Sequence, residues 1–183
     1  IKVKPVANGS LDEIGTIVTI GSEKFYTIGT EGDNVKLLAM YNLYVGGSCD
    51  MNTGEHPFYG SEATGMQDEN MKGDMSGQTI FHGVINYNGK TLALNNYKGI
   101  LERKFAVEIK EARLITIDEL TDAKTFACSI SSPYCKNSSY SWVSSTSYWT
   151  ESASEIDKVW IVNSDGYIRS HSIYVYSSFG IRP

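Results

Sequence analysis

The chain has 183 residues, enough for one domain with a sizeable core. Its formal net charge of −5, from 16 Lys+Arg against 21 Asp+Glu, supplies no basic stripe and argues against nucleic acid as a partner. No apolar run is long enough to span a bilayer, so no direct membrane insertion is expected, and three Trp, twelve Tyr and six Phe argue against a disordered chain.

Residues 11–41 read as an opening β meander. "IGTIVTI" alternates, with Ile14, Thr16, Val18 and Ile20 on one face, and Gly21-Ser22 suits a two-residue hairpin turn. "KFYTIGT" and "VKLLAMY" follow as strands, joined at Glu31-Gly32-Asp33-Asn34. Residues 42–79 hold seven Gly and four of the five Met with no sustained period, and read as a long loop region. "TIFHGVI" (79–85) reads as a short strand. "NNYKGILERKFAV" reads as a helix capped by Asn95 or Asn96, with Tyr97, Ile100, Leu101 and Phe105 on its apolar face. "ARLIT" reads as a strand, and Thr116 to Glu119 matches a capping box opening a helix over 117–124.

From residue 128 the composition changes. Sixteen Ser fall in the last 56 residues against five before them, together with all three Trp and six of the Tyr. A linker or a disordered tail would not carry those aromatics, so 128–183 reads as a folded half rich in Ser, Tyr and Trp. "KVWIVNSDGYI" reads as strand, turn, strand, with Asp165-Gly166 in the turn and Trp160 and Val162 facing the core. Cys128 and Cys135 bracket "CSISSPYC", a loop that either a disulfide closes or two free thiols flank; the disulfide implies an oxidising compartment. Cys49 has no assigned role.

No phosphate loop, dinucleotide fingerprint or zinc motif occurs, and His56, His82 and His171 lack ligands at metal spacing. Glu151, Glu155 and Asp157 read as a solvated cluster rather than an acid–base pair. No cofactor, metal site or catalytic residue is expected, and the chain does not read as an enzyme.

Tyr and Trp give large, stiff contact surfaces, while Ser adapts its hydrogen bonds between them; antibody loops bind with the same vocabulary. Tyr167, Arg169 and His171 point one way along their strand, and Tyr174 and Tyr176 share a face further on. These five form an expected ligand-binding platform, joined by Trp142, Tyr148, Glu151, Ser152, Ile161 and Asn163.

"SWVSSTSYWTESAS", "VWIVNSDGYI" and "SSFGIRP" together resemble the C-terminal part of bacterial and phage C-type-lectin-like domains, over about residues 110–183 and more loosely over 11–45. In this likeness Trp149, Trp160, Gly166, Gly180 and Arg182 are scaffold. The resemblance implies a single α+β domain over 1–183, of C-type-lectin-like fold with short antiparallel strands, two helices and long loops. It implies a surface-displayed binder, extracellular or on a phage particle, whose partner is a protein or carbohydrate on another cell or surface. The variable proteins of diversity-generating retroelements share that fold, and "SHSIYVYSS" draws on the residues they vary. Two alternatives stay open: an oxidase of the formylglycine-generating type, and a purely structural surface or pilus domain.

Overall fold

The computed structural model describes residues 4–45, 63–73, 90–131, 134–135, 138–173 and 179–183. Cys49, the 79–85 strand, most of the 42–79 loop region, Tyr174 and Tyr176 lie outside the described residues.

The opening meander forms as its alternation predicts, except that Ile14 lies half-buried in a turn before the strand rather than on its face. β1 (Val6–Ala7), β2 (Ile17–Ile20), β3 (Glu23–Glu31) and β4 (Asn34–Ala39) make an antiparallel sheet in that order. Thr16, Val18 and Ile20 are buried on one face. Gly21 turns β2 into β3 at φ 61°, and a Cβ there would lie 2.1 Å from the Phe105 ring. That glycine therefore meets two demands, a left-handed turn and room for an aromatic ring.

The first helix, α1, runs Lys90–Lys104, starting five residues before the predicted cap and ending three residues earlier. Ala93, Leu94, Tyr97 and Leu101 are its buried residues, spaced three and four apart as one face of a helix requires. "ARLIT" is not a strand: among the described residues it carries no ladder, and Ile115 takes part through a single bond, its carbonyl accepting from Glu151 N–H at 2.9 Å. The capping box is present. The Thr116 side chain accepts from Glu119 N–H, the Glu119 carboxylate accepts from Thr116 N–H, and α2 spans Ile117–Thr121 rather than continuing to 124.

Glu119 does more than cap. Arg113 Nη1 and Nη2 donate to its two oxygens at 2.7 and 2.9 Å, and Lys36 Nζ reaches it at 3.3 Å. Burial alone would raise its pKa; the Arg113 hydrogen bonds, the Thr116 N–H and the Arg113 charge outweigh burial and hold it at about 2. A carboxylate depressed below its ordinary 4.5 stabilises the fold above that pH, and the contribution is lost as pH falls toward 2. Chemical denaturation of the wild type should therefore lose about 2 kcal/mol more than Glu119→Gln between pH 5 and 2, after allowing for solvent screening of a partly exposed pair. Parallel pH profiles for the two proteins would remove Glu119 from this role.

The second sheet holds β5 (Tyr148–Glu155), β6 (Lys158–Val162) and β7 (Ile168–Ser172), antiparallel with β6 in the middle. Two apolar clusters form the core. The first joins Val18 and Phe25 of the opening sheet, Leu94 and Tyr97 of α1, and Trp149, Val159 and Ile161 of the second sheet. The second joins Ile28 and Leu38 to Leu120, Phe126, Tyr148, Val162, Ile168 and the disulfide. Val162 faces the core as predicted, with Trp160 half-buried against the same cluster.

The last residues stitch the two sheets together. Gly180 N–H donates to Ser147 O, and Trp149 N–H to Gly180 O. Beyond them Leu43 N–H donates to Ile181 O, and Ala39 N–H to Pro183 O. Phe179, Ile181 and Arg182 are buried. The architecture is mixed α+β, and among the described residues no helix is long and apolar enough to cross a membrane.

Candidate ligand-binding surface

The disulfide loop and the β6–β7 turn meet at one rim. Cys128 and Cys135 are bonded, their Cα atoms 4.5 Å apart, which brings Tyr134 beside the strand ends. Cys135 N–H donates to Gly166 O at 2.6 Å, and Tyr134 bridges to Tyr167 as an isolated β pair. The Tyr134 and Tyr167 rings meet edge to face, centroids 4.9 Å apart.

The turn is held by its own polar groups. Asp165 Oδ1 accepts Tyr167 N–H at 3.0 Å, a local bond that favours Asp in turns. Gly166 takes φ 93°, a left-handed conformation open to glycine. Asn163 N–H donates to Tyr167 O, and Gly166 N–H to Asn163 O. Ser147 Oγ donates to Asn163 Oδ1 at 2.7 Å and accepts Ser164 N–H at 2.8 Å, tying the turn to the start of β5. On this base Arg169 Nη2 reaches Asp165 Oδ2 at 2.9 Å, and its guanidinium lies 4.9 Å from the Tyr167 ring centre. Tyr167 remains 41% exposed, and Arg169 is exposed. The rim thus presents a cation, an anion and two phenols whose geometry is set before any ligand arrives, which lowers the entropy cost of binding.

A second aromatic group lies over the same core cluster. Trp142, in a short 3-10 helix (Ser141–Ser144), stacks on Tyr26 with centroids 4.1 Å apart and packs edge-on against Phe126. It is half-buried, with Tyr140 beside it.

The expected platform therefore divides. Tyr167 and Arg169 are exposed. His171 lies on the same strand face but is half-buried, its ring 4.8 Å from Phe179 and 5.9 Å from Trp149. Tyr148 and Ile161 are not surface residues: both are 0% exposed. Tyr148 lies under the Arg182 guanidinium, and burial, partly offset by that charge, pushes its phenol up to about 12. Ile161 pairs with Trp149 in the first cluster, because β6 is the middle strand and both its faces are covered. Glu151 and Ser152 serve internal contacts. Glu151 pairs with Lys90 Nζ at 2.8 Å and accepts Leu114 N–H, while Ser152 Oγ accepts Ile117 N–H at the start of α2. Asn163 positions the turn.

Tyr134 and Asp165 were not among the expected ligand residues. The signal for Tyr134 was its place inside the cysteine-bracketed loop, and for Asp165 its place two residues before a Tyr. Among the described residues no cluster of His, Cys, Asp or Glu is arranged to hold a metal ion. No family model, no curated protein and no solved structure matches the chain.

Proposed function

We propose that the protein is a surface-displayed ligand-binding domain of C-type-lectin-like type, acting outside the cell or on a phage particle and carrying out no covalent chemistry. Its contact surface is the rim of Tyr134, Asp165, Tyr167 and Arg169, with the Trp142–Tyr140 pair as a second aromatic patch. The observation that carries this reading is the turn 163–167, whose polar groups are spent on holding Tyr167 and Arg169 outward. Tyr and Arg are the side chains most enriched where binding energy concentrates. The guanidinium over one face of the Tyr167 ring and the crossed Tyr134 ring beside it suit a protein surface better than a stacked sugar. The disulfide is compatible with an oxidising compartment. The return of residues 179–183 between two antiparallel sheets is in keeping with the lectin-like fold.

The test is a screen of the purified chain on arrays of extracellular proteins and of glycans, repeated with Tyr167→Ala and Arg169→Ala. Each variant should weaken the wild-type signal at least tenfold, and a signal that survives both substitutions would sink the proposal. Diversification by a retroelement is a separable part of the reading. It requires a near-copy of codons 140–183, differing at adenines, beside a reverse transcriptase gene; absence of such a copy removes that part alone.

A further inference from the structure

Tyr26, Trp142 and Tyr140 stand in a row. Trp142 stacks on Tyr26 with centroids 4.1 Å apart and 11° between the planes, and Tyr140 follows at 5.6 Å and 53°. Tyr26 and Tyr140 make no ring contact with each other among the described residues, so Trp142 is the middle member. The row is comparable in length to one turn of a polyproline II helix, ~9 Å. Gly15 lies along the indole edge, where a Cβ would stand 3.6 Å from Trp142 Nε1.

The polar groups of this row are almost all donors. Trp142 Nε1–H and the Tyr26 and Tyr140 hydroxyls have no hydrogen-bond partner among the described residues. None of the three is sealed from solvent, although all three side chains are half-buried. The neighbouring carbonyls are already taken. Arg182 Nη2, Ser145 N–H and Ser145 Oγ donate to Trp142 O, and Val143 N–H donates to Tyr140 O. The same bonds fix the backbone under the indole, and the Arg182 guanidinium that makes one of them is buried. The row is therefore set before a ligand arrives.

We propose that the Tyr26–Trp142–Tyr140 row is a docking site for a proline-rich segment of a partner polypeptide in the polyproline II conformation. Such a segment has no internal hydrogen bonds, so its carbonyls point outward, and its prolines bring no N–H that would need an acceptor. Trp142 Nε1–H and the two hydroxyls supply donors to those carbonyls, and the aromatic rings receive the proline rings. A sugar is a poorer occupant. Tyr26 covers one indole face, and Phe126 and Tyr140 meet the ring at 89° and 53°, so Trp142 offers an edge and a donor rather than an open face. The inference rests on the reading of the protein as a binder of polypeptides, and names a second patch and the conformation it takes.

NMR of the labelled whole chain tests it, with acetyl-(Pro)8-amide as probe and acetyl-(Gly-Ser)4-amide and maltohexaose as controls. The probe should shift the Trp142 indole N–H, assigned by its loss in Trp142→Phe, and should saturate with a Kd below about 1 mM. Trp142→Phe keeps a ring over Tyr26 and removes the donor; followed through the backbone amides of 141–145, it should bind the probe at least tenfold more weakly. Tyr140→Phe, which keeps its ring, should weaken binding in the same direction. The inference is overturned if about 1 mM probe shifts nothing, if the Gly-Ser peptide acts alike, or if maltohexaose binds in place of the peptide. It is equally overturned if both Phe variants bind as the wild type does. A probe signal that survives Trp142→Phe and disappears in Tyr167→Ala/Arg169→Ala would move the ligand to the rim, ending this inference while the rim reading stands.

Discussion

Gly180→Ala should cost roughly 3–5 kcal/mol in chemical denaturation, more than overpacking alone usually does. A Cβ on Gly180 would stand 2.1 Å from Asn42 Nδ2 and 2.8 Å from Asn42 Cβ, so the whole side chain must move. Asn42 is fully buried and cannot move cheaply. Its Nδ2 donates to Met71 O at 2.7 Å and Ser147 O at 3.1 Å, and its Oδ1 accepts from Thr146 Oγ1. Displacing it leaves Met71 O without its donor and Ser147 O with the Gly180 N–H alone, at a joint between the end of β4, the 63–73 segment and the entry to β5. The steric cause has a separate signature. In the double variant with Asn42→Gly, which removes the Asn42 Cβ as well as the amide, the cost of Gly180→Ala should largely vanish, whereas additive losses would place the damage elsewhere.

Arg182→Ala should cost a similar amount, about 3–5 kcal/mol, for a different reason. The guanidinium is 0% exposed and is held by carbonyls from both halves of the fold: Ala39 O at 2.7 Å, Trp142 O at 3.1 Å and Val143 O at 3.2 Å. Burial pulls its pKa down, with Tyr148 and Tyr26 opposing, so the charge is kept by hydrogen bonds and ring faces. Removing it opens a cavity and leaves Ala39 O without its donor, while Val143 O keeps the Tyr148 hydroxyl and Trp142 O keeps Ser145. Arg182→Lys should recover little, because one ammonium cannot reach three carbonyls arranged for a planar fork. A Lys variant as stable as the wild type would show that charge alone suffices.

Both effects arise in the closing segment "FGIRP", which the sequence marks as scaffold only through resemblance. Its partners lie up to 143 residues away, and nothing local to Arg182 names Ala39. Local signals fared better. The meander follows from alternation and hairpin glycines, the capping box from Thr116 and Glu119, and the turn from Asp165-Gly166. Period-2 reasoning failed on β5 and β6 because these strands lie between two core clusters. There alternation distinguishes one buried face from another, so Tyr148 and Ile161 read as surface when they are core. Glu151 and Ser152 misled for a related reason. Polar side chains in an apparent binding strand were the anchors for residues 114–117. Tyr134 emerged only once the disulfide loop and the β6–β7 turn were seen side by side.

The partition of the Tyr-rich half into core and rim is tested most directly by thermal and chemical unfolding of Tyr148→Ala beside the double variant Tyr167→Ala/Arg169→Ala. Tyr148 fills the second cluster and donates its hydroxyl to Val143 O at 2.6 Å, so its loss should cost about 3–5 kcal/mol. The double variant removes an exposed ring with its edge-to-face contact to Tyr134, an exposed ion pair and the cation–ring contact, and should stay within about 1 kcal/mol of the wild type. A double variant destabilised as much as Tyr148→Ala would contradict the account, because Tyr167 and Arg169 would then be holding the fold rather than waiting for a ligand.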